Sequence, residues 1–421
     1  MKRCLEDCYE NHATCIKLRQ QLLVHRPPKY LLDLESVHGG RIRIRTTERL
    51  RRANLQYAIV SYCWGHGGNQ ATQTTSENLQ QRLVGFSLTD LPKTICDAVN
   101  ITQVLGLRYL WVDALCIQQD YDNRYKQQEL AAMPDLYAKA TIVISAACAT
   151  HCDAGFLGPR DLRYHQYDLP LTVMDGGKAV DSRIRLFERS FKKERDPIDM
   201  RIWTEPERNN AVCSLRFESE QVEWQCRETT DADSDVGLLP PYASAYNSCS
   251  FDGSMFPSML SPTPTSGDYE GSLREYVQRV SDFSARKWTR FDDRLVAFER
   301  TAMYMAKAMG WDASQYKAGL WTKDMQRGLQ WCRDGYDNDN SAGNPLADAT
   351  SVPSWSWASI PSAIIWDDLN CLDWGRCYTL EVLKCEVRLQ SLRPYRPYAG
   401  VKGGSLFVKG YALEVFWNGQ T

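Results

Sequence analysis

The chain is short of several things that would have settled its class at once. No apolar run approaches the roughly 20 residues that a membrane-spanning helix requires, and the opening MKRCLEDCYENH carries charges where a secretory leader would be hydrophobic. Excess charge of either sign is also missing: 50 Lys and Arg against 52 Asp and Glu leave a net of -2. This removes the global electrostatic footprint that nucleic acid or an acidic membrane surface would need. The basic positions Arg49, Arg51 and Arg52 form too short a run to exceed a solvated surface. There is no P-loop, no complete dinucleotide glycine fingerprint and no zinc-protease helix. The expectation is a cytoplasmic protein with no membrane span and no nucleic-acid partner.

What the chain does have is core-forming material. With 421 residues, 43% hydrophobic and 24% charged, it can bury a full core and is long enough for more than one domain. Its 15 cysteines are scattered and follow no leader, which favours reduced thiols, most of them small buried residues. The 13 tryptophans often sit beside a Ser, Thr or Cys, as in Trp203-Thr204, Trp288-Thr289 and Ser354-Trp355-Ser356-Trp357. Such rings bury large areas while a polar edge seeks a partner, and core is their default place.

Near the amino terminus, Cys4, Cys8, His12 and Cys15 have the identities of metal ligands. On one continuous helix they lie in a narrow arc but stretch along roughly 16 Å, so all four cannot surround one ion. A subset can do so only with help from elsewhere. The stripe therefore reads as a buried helix face, and no metal is expected.

Residues 57–147 alternate between strand-like and helix-like patterns. Tyr57–Tyr62 is a strand; Ser76–Leu83 reads as a helix capped by its serine. DLPKTICDAVNITQVLG carries Pro92 at its first turn and Gly106 at its end. Arg108–Val112 is a second strand. A helix over about Asn123–Ala138 should break or kink at Pro134. Ala140–Ala147 is a third strand. Apolar strands separated by helices predict a parallel sheet buried on both faces. Further on, 164–190 and 210–227 suggest short strands, and 236–268, rich in Pro, Ser and Gly, suggests a long loop. Leu273–Ser284 and Asp293–Met309 read as helices, and about 370–418 as antiparallel sheet.

In an open parallel sheet the ligand crevice lies beyond the carboxyl ends of the strands. Two strands end in similar mixtures of thiol, indole and polar groups: YAIVSYCWGH (57–66) in Ser61, Cys63, Trp64, Gly65 and His66, and RYLWVDALCIQQD (108–120) in Asp113, Cys116 and Gln118. These clusters are expected to form two walls of one site.

YAIVSYCWG, LPKTICDAVNITQVLGLRYLWVDALCIQQD, ELAAMPDLY and ATIVISAA resemble, in that order, the fungal heterokaryon incompatibility (HET) domain. CLEDCYENHATC before them, and RIWTEPER, QVEWQCRE, RKWTRFDDRLVA, YKAGLW and PSWSWAS after them, resemble segments that accompany it. Where relatives read R-G-W-T-L-Q-E-R, this chain has Glu205-Pro206 before Glu207, which disturbs the expected helix start. The resemblance implies an α/β fold with a parallel flavodoxin/TIR-like sheet and flanking helices, followed by a mixed α+β region with antiparallel strands. The expected division is 1–44 helical, 45–160 the HET domain, and 161–421 the mixed region. The implied function is fungal non-self recognition and programmed cell death, with self-association or another incompatibility protein as partner. Some TIR domains cleave NAD with a helical glutamate, which makes NAD a candidate substrate, although no cofactor is firmly implied. The alternatives are a small-molecule enzyme of fungal secondary metabolism on the same scaffold and a non-catalytic interaction module.

The candidate catalytic residues are Glu129, Asp113, Cys63 and His66. Glu129 shares its helix with the apolar Leu130, Met133 and Tyr137, and a carboxylate there can stabilise positive charge on a ribose as nicotinamide leaves. Asp113 ends a very apolar strand, so it must face the crevice or receive hydrogen bonds; it can hold ribose hydroxyls or act as a base. Cys63 and His66 have the identities of a nucleophile and its base. Ser61, Trp64, Gly65, Cys116 and Gln118 are the candidate ligand-binding residues.

Overall fold

The computed structural model describes residues 2–22, 27–50, 55–65, 72–120, 124–160, 165–188, 195–202, 204, 207, 210–219, 221–232, 269–288, 291, 293–334, 352–366, 380–389 and 401–410. The loop expected at 236–268 lies outside these residues, as does His66. The chain divides into two compact units, one of residues 1–200 and 207–260, the other of 201–206 and 261–421.

The first unit is an α/β layer built on a nine-stranded sheet. Its centre is β3 (Tyr57–Ser61), β5 (Tyr109–Trp111), β6 (Ile142–Ser145) and β9 (Cys213–Phe217), all parallel where they pair. Taken in chain order as strands one to four, they run 2-1-3-4 across the sheet, the winding order of flavodoxin-like open sheets. Every residue of β3 and β9 is buried, as strands covered on both faces require. Antiparallel strands extend both edges: β1 (Tyr30–Asp33), β2 (Arg41–Thr46) and β4 (Phe86–Ser87) beyond β5, and β10 (Val222–Cys226) and β11 (Thr230–Ala232) beyond β9. The expected helical segment 1–44 thus also holds β1 and most of β2. Buried Asp33 ties this edge together through Arg43, Arg45 and Arg108, at 2.8–3.1 Å.

The helices show where pattern reading succeeds and where tertiary packing overrides it. α1 (Lys2–Glu10) and α2 (Ala13–Leu22) are separate helices with a turn at Asn11-His12, not the single helix assumed for the cysteine stripe. α3 (Leu79–Val84) starts later than expected and is not capped by Ser76, whose hydroxyl and N–H both go to Asp120. α4 (Lys93–Val104) follows Pro92 and buries Ile95, Ala98 and Val99. α5 (Asp113–Cys116) is a single turn. α6 (Arg124–Lys139) continues past Pro134 without a break. The proline removes the bond to the Leu130 carbonyl, but the turn that follows is held from outside. Tyr57 Oη donates to the Leu136 carbonyl at 2.9 Å, and the Tyr137 ring stands edge-on to Trp111 at 6.1 Å.

Residues 165–188 form one long antiparallel ribbon rather than short strands, β7 (His165–Asp175) and β8 (Lys178–Glu188). They are joined by Gly176-Gly177 at φ 54° and 83°, the left-handed pair that a tight two-residue hairpin demands.

The second unit has α7 (Tyr269–Ser284) and α8 (Asp293–Met309), with the latter bounds as read from sequence, and a one-turn α9 (Met325–Gly328). Its strands pair as β12–β13 (Tyr316–Lys317, Leu320–Trp321), β14–β15 (Trp331–Arg333, Ile364–Trp366) and β16–β17 (Leu380–Leu389, Val401–Gly410), all antiparallel. Tyr276, Phe283, Phe298, Trp311, Trp321 and Trp357 build an aromatic core of tilted and edge-to-face contacts, the preferred ring geometry. No helix among the described residues is long and apolar enough to cross a membrane.

Candidate functional site

A 2-1-3-4 sheet reverses direction between its first and third strands, here β3 and β6, and in open sheets of this kind ligands bind beyond the carboxyl ends at that point. Ser61 ends β3 in register with Ser145 of β6, which is in register with Arg216 of β9. In-register residues of neighbouring strands point to the same face, so these three form one polar row. Ser61 is buried and its Oγ donates to Glu207 Oε2 at 2.5 Å. Arg216, also buried, is caged by Asp196, Asp199 and Glu218 at 2.6–3.1 Å. Burial works against the guanidinium charge, but Asp199, Glu218 and Asp196 more than offset it and hold Arg216 charged.

The turns after β3 and β5 meet. Trp64 is half-buried, and its indole N–H donates to Asp113 Oδ2 at 2.8 Å. The other Asp113 oxygen accepts from the Ala114 N–H at 2.7 Å, so the carboxylate both starts α5 and reaches across to the first turn. The loop carrying it is clamped by residues 72–75: Thr74 exchanges backbone bonds with Ala114 and Gln119, and its hydroxyl donates to the Leu115 carbonyl. Gln119 Nε2 donates to the Asp113 and Ile117 carbonyls. The ends of β3 and β5 are thus joined side chain to side chain.

A third wall comes from the turn after β6. Gly65 has φ +89°, and a Cβ built on it would lie 2.7 Å from His151 Cβ. Only glycine lets the backbone pass this close. His151 is exposed, and its Nδ1 accepts from the Asp153 N–H at 3.2 Å.

The remaining candidates separate. Cys63 is buried in a small cluster with Ala147 and Ile198, a structural setting for a thiol. Cys116 is fully buried, and burial pushes its thiol up to about 12. It belongs to the core, which corrects its assignment to a ligand-facing wall. The Asp113 and Glu129 carboxylates add to that rise, so both lie within electrostatic reach of the same thiol. Glu129 is 3% exposed on α6. Gln118 is half-buried beside Asp120, whose carboxyl is held below its ordinary value chiefly by the Ser76 hydroxyl and N–H, with Gln118 adding the least. A concavity of about 280 Å³, lined by Leu55, Gln56, Leu107, Arg108 and Tyr109 among others, opens at the amino-terminal ends of β3 and β5, at the other end of the strands from Trp64 and Asp113.

Sequence reading missed Glu207 and His151. Glu207 sits in RIWTEPER, treated as a helix start rather than as a source of ligands. His151 would have emerged had the strand-end rule been applied to the third strand as it was to the first two. The strand ends thus gather the Trp64 indole, the Asp113 carboxylate and the Ser61–Glu207 pair, with His151 packed against Gly65.

No curated protein and no solved structure matches the chain. Residues 57–207 match the family model described as Heterokaryon incompatibility protein (HET), a span that begins with β3 and ends on the glutamate bonded to Ser61. This stretch, which holds the turns bearing Trp64, Asp113 and His151, is similar to the HET family.

Proposed function

We propose that this HET-like domain serves fungal non-self recognition and cell-death signalling, and that it binds NAD in the crevice and hydrolyses the bond between nicotinamide and ribose. The observation that supports this best is the Trp64–Asp113 pair at the switch-point rim: an indole face for a planar ring beside a carboxylate that can accept ribose hydroxyls. In the reaction the C–N bond breaks with its electron pair leaving on nicotinamide. Water adds its oxygen to the ribose carbon and releases a proton, giving ADP-ribose. Glu129 is assigned to stabilise the positive charge on the ribose as the bond opens. Its burial favours the role, because a carboxylate screened by little water acts more strongly on a nearby charge. Signalling through such a domain would involve self-association or a second incompatibility protein.

The test is nicotinamide release by purified protein incubated with NAD. Turnover that disappears in Glu129→Gln while the Tm is kept would support the reading. Absence of both release and NAD binding in the folded wild type would overturn it and leave an interaction module or a metabolite enzyme.

A further inference from the structure

Away from the crevice, four metal-ligand side chains meet at the outer part of the sheet: Cys8, His12, Cys15 and Cys226 are all buried, and their ligand atoms lie within 4.8 Å of one another. The break between α1 and α2 makes this convergence. It turns Cys15 back toward Cys8, which a continuous helix could not do, and the fourth ligand comes from the end of β10. Cys4, grouped with the others by sequence, is outside the set.

We propose that these residues form a structural zinc site of Cys3His type that fastens the amino-terminal helix pair to the β9–β10 hairpin. Tetrahedral zinc, with Zn–S near 2.3 Å and Zn–N near 2.0–2.1 Å, holds its ligand atoms about 3.5–3.8 Å apart. The observed spread needs only a small contraction to reach this. His12 Nδ1 lies 3.2 Å from Cys226 Sγ, while its other ring nitrogen, Nε2, lies 3.3 Å from Asp7 Oδ2. That is the carboxylate–histidine arrangement that orients imidazole ligands on a metal. Cys226 Sγ also faces the backbone N–H groups of Glu228 and Thr229 at 3.4 and 3.3 Å, donors suited to a thiolate.

The charges close as well. Three thiolates and a neutral imidazole around a divalent ion leave one negative charge. Arg19 lies beside the cluster, donating to Cys8 Sγ at 3.1 Å and to the Cys8 carbonyl at 2.9 Å. Three sulfurs and one nitrogen in a closed, buried set favour zinc over magnesium or calcium, which take oxygen. All four positions come from the protein and none is left for substrate, so the role is structural. A neighbouring contact, Thr14 N–H to Glu228 Oε1 at 2.5 Å, joins the same two segments.

The experiment uses the full chain, produced with zinc and purified under reducing conditions. Elemental analysis should give one zinc per chain, unchanged in Cys4→Ser and lost in His12→Ala and Cys226→Ala. If those two fail to fold, His12→Cys provides the second measurement, since a fourth thiolate should keep one metal ion per chain. Replacement by cobalt should give the intense visible bands of a tetrahedral thiolate site, and these should shift in His12→Cys as nitrogen is exchanged for sulfur. A strong chelator should lower the Tm of the wild type by about 10 °C or more, because binding energy at such sites is folding energy. A folded wild type with no zinc and no cobalt spectrum would overturn the proposal. So would a disulfide between any two of Cys8, Cys15 and Cys226 in protein kept reduced.

Discussion

The indole N–H of Trp64 meets Oδ2 of Asp113 at 2.8 Å, although the two residues stand 49 positions apart. This bond makes one rim out of two strand ends. Removing it with Trp64→Phe keeps most of the buried ring area and deletes the donor alone. NAD binding measured by calorimetry should weaken about tenfold, the equivalent of one charged hydrogen bond, with a Tm change of only a few degrees.

Gly65 should tolerate no side chain. In Gly65→Ala the new methyl meets His151 at 2.7 Å from a backbone at φ +89°. The expected cost is about 1–3 kcal/mol, read as a lower midpoint in urea, and nicotinamide release should fall with it because the third wall is displaced.

Asp33 should make the fold sensitive to acid. Burial alone would raise its pKa, but Arg108 and Arg43 hold the carboxyl at about 2. A depressed folded value means that the contribution is fully present above the unfolded value of roughly 4 and is lost as pH falls toward 2. The arginines are 34–41% exposed, so solvent screening reduces the effect to about 1–2 kcal/mol. Asp33→Asn should lose that much stability at pH 7, and its stability should change less than that of the wild type between pH 5 and 2.

Cys116 should behave as a core residue. With its thiol up at about 12 and no exposure, it should escape iodoacetamide at pH 8 in the folded protein and react once guanidinium has unfolded it, as mass spectrometry would report. Cys116→Ala should cost about 1 kcal/mol and leave nicotinamide release measurable. Complete loss of turnover in a folded Cys116→Ala would return the thiol to the site.

Much of the sheet was legible because buried parallel strands and capped helices write themselves locally. The apolar runs at 57–61, 109–111 and 142–145 and the brackets of α4 are visible residue by residue. The edges were not, since YLLD and RIRIRT are short and their partners distant. Pro134 misled because tertiary contacts through Leu136 and Tyr137 outweighed a local propensity, and Ser76 because Asp120 competed for its hydroxyl. In the crevice, Trp64 and Asp113 could be placed from strand ends alone. Glu207 could not, because its bond to Ser61 spans 146 positions. The same limit hid Cys226, without which the amino-terminal stripe looks like an ordinary apolar face.

The contacts of His12 and Thr14 with Cys226 and Glu228 each span 214 positions, and this imposes an order on biosynthesis. At about 5–20 residues per second the helix pair leaves the ribosome roughly 10–40 s before its docking hairpin is made. During that interval Cys8 and Cys15 are exposed thiols on a tethered segment, and a nascent chain stalled before β10 should be far more open to oxidation and proteolysis than one released after it.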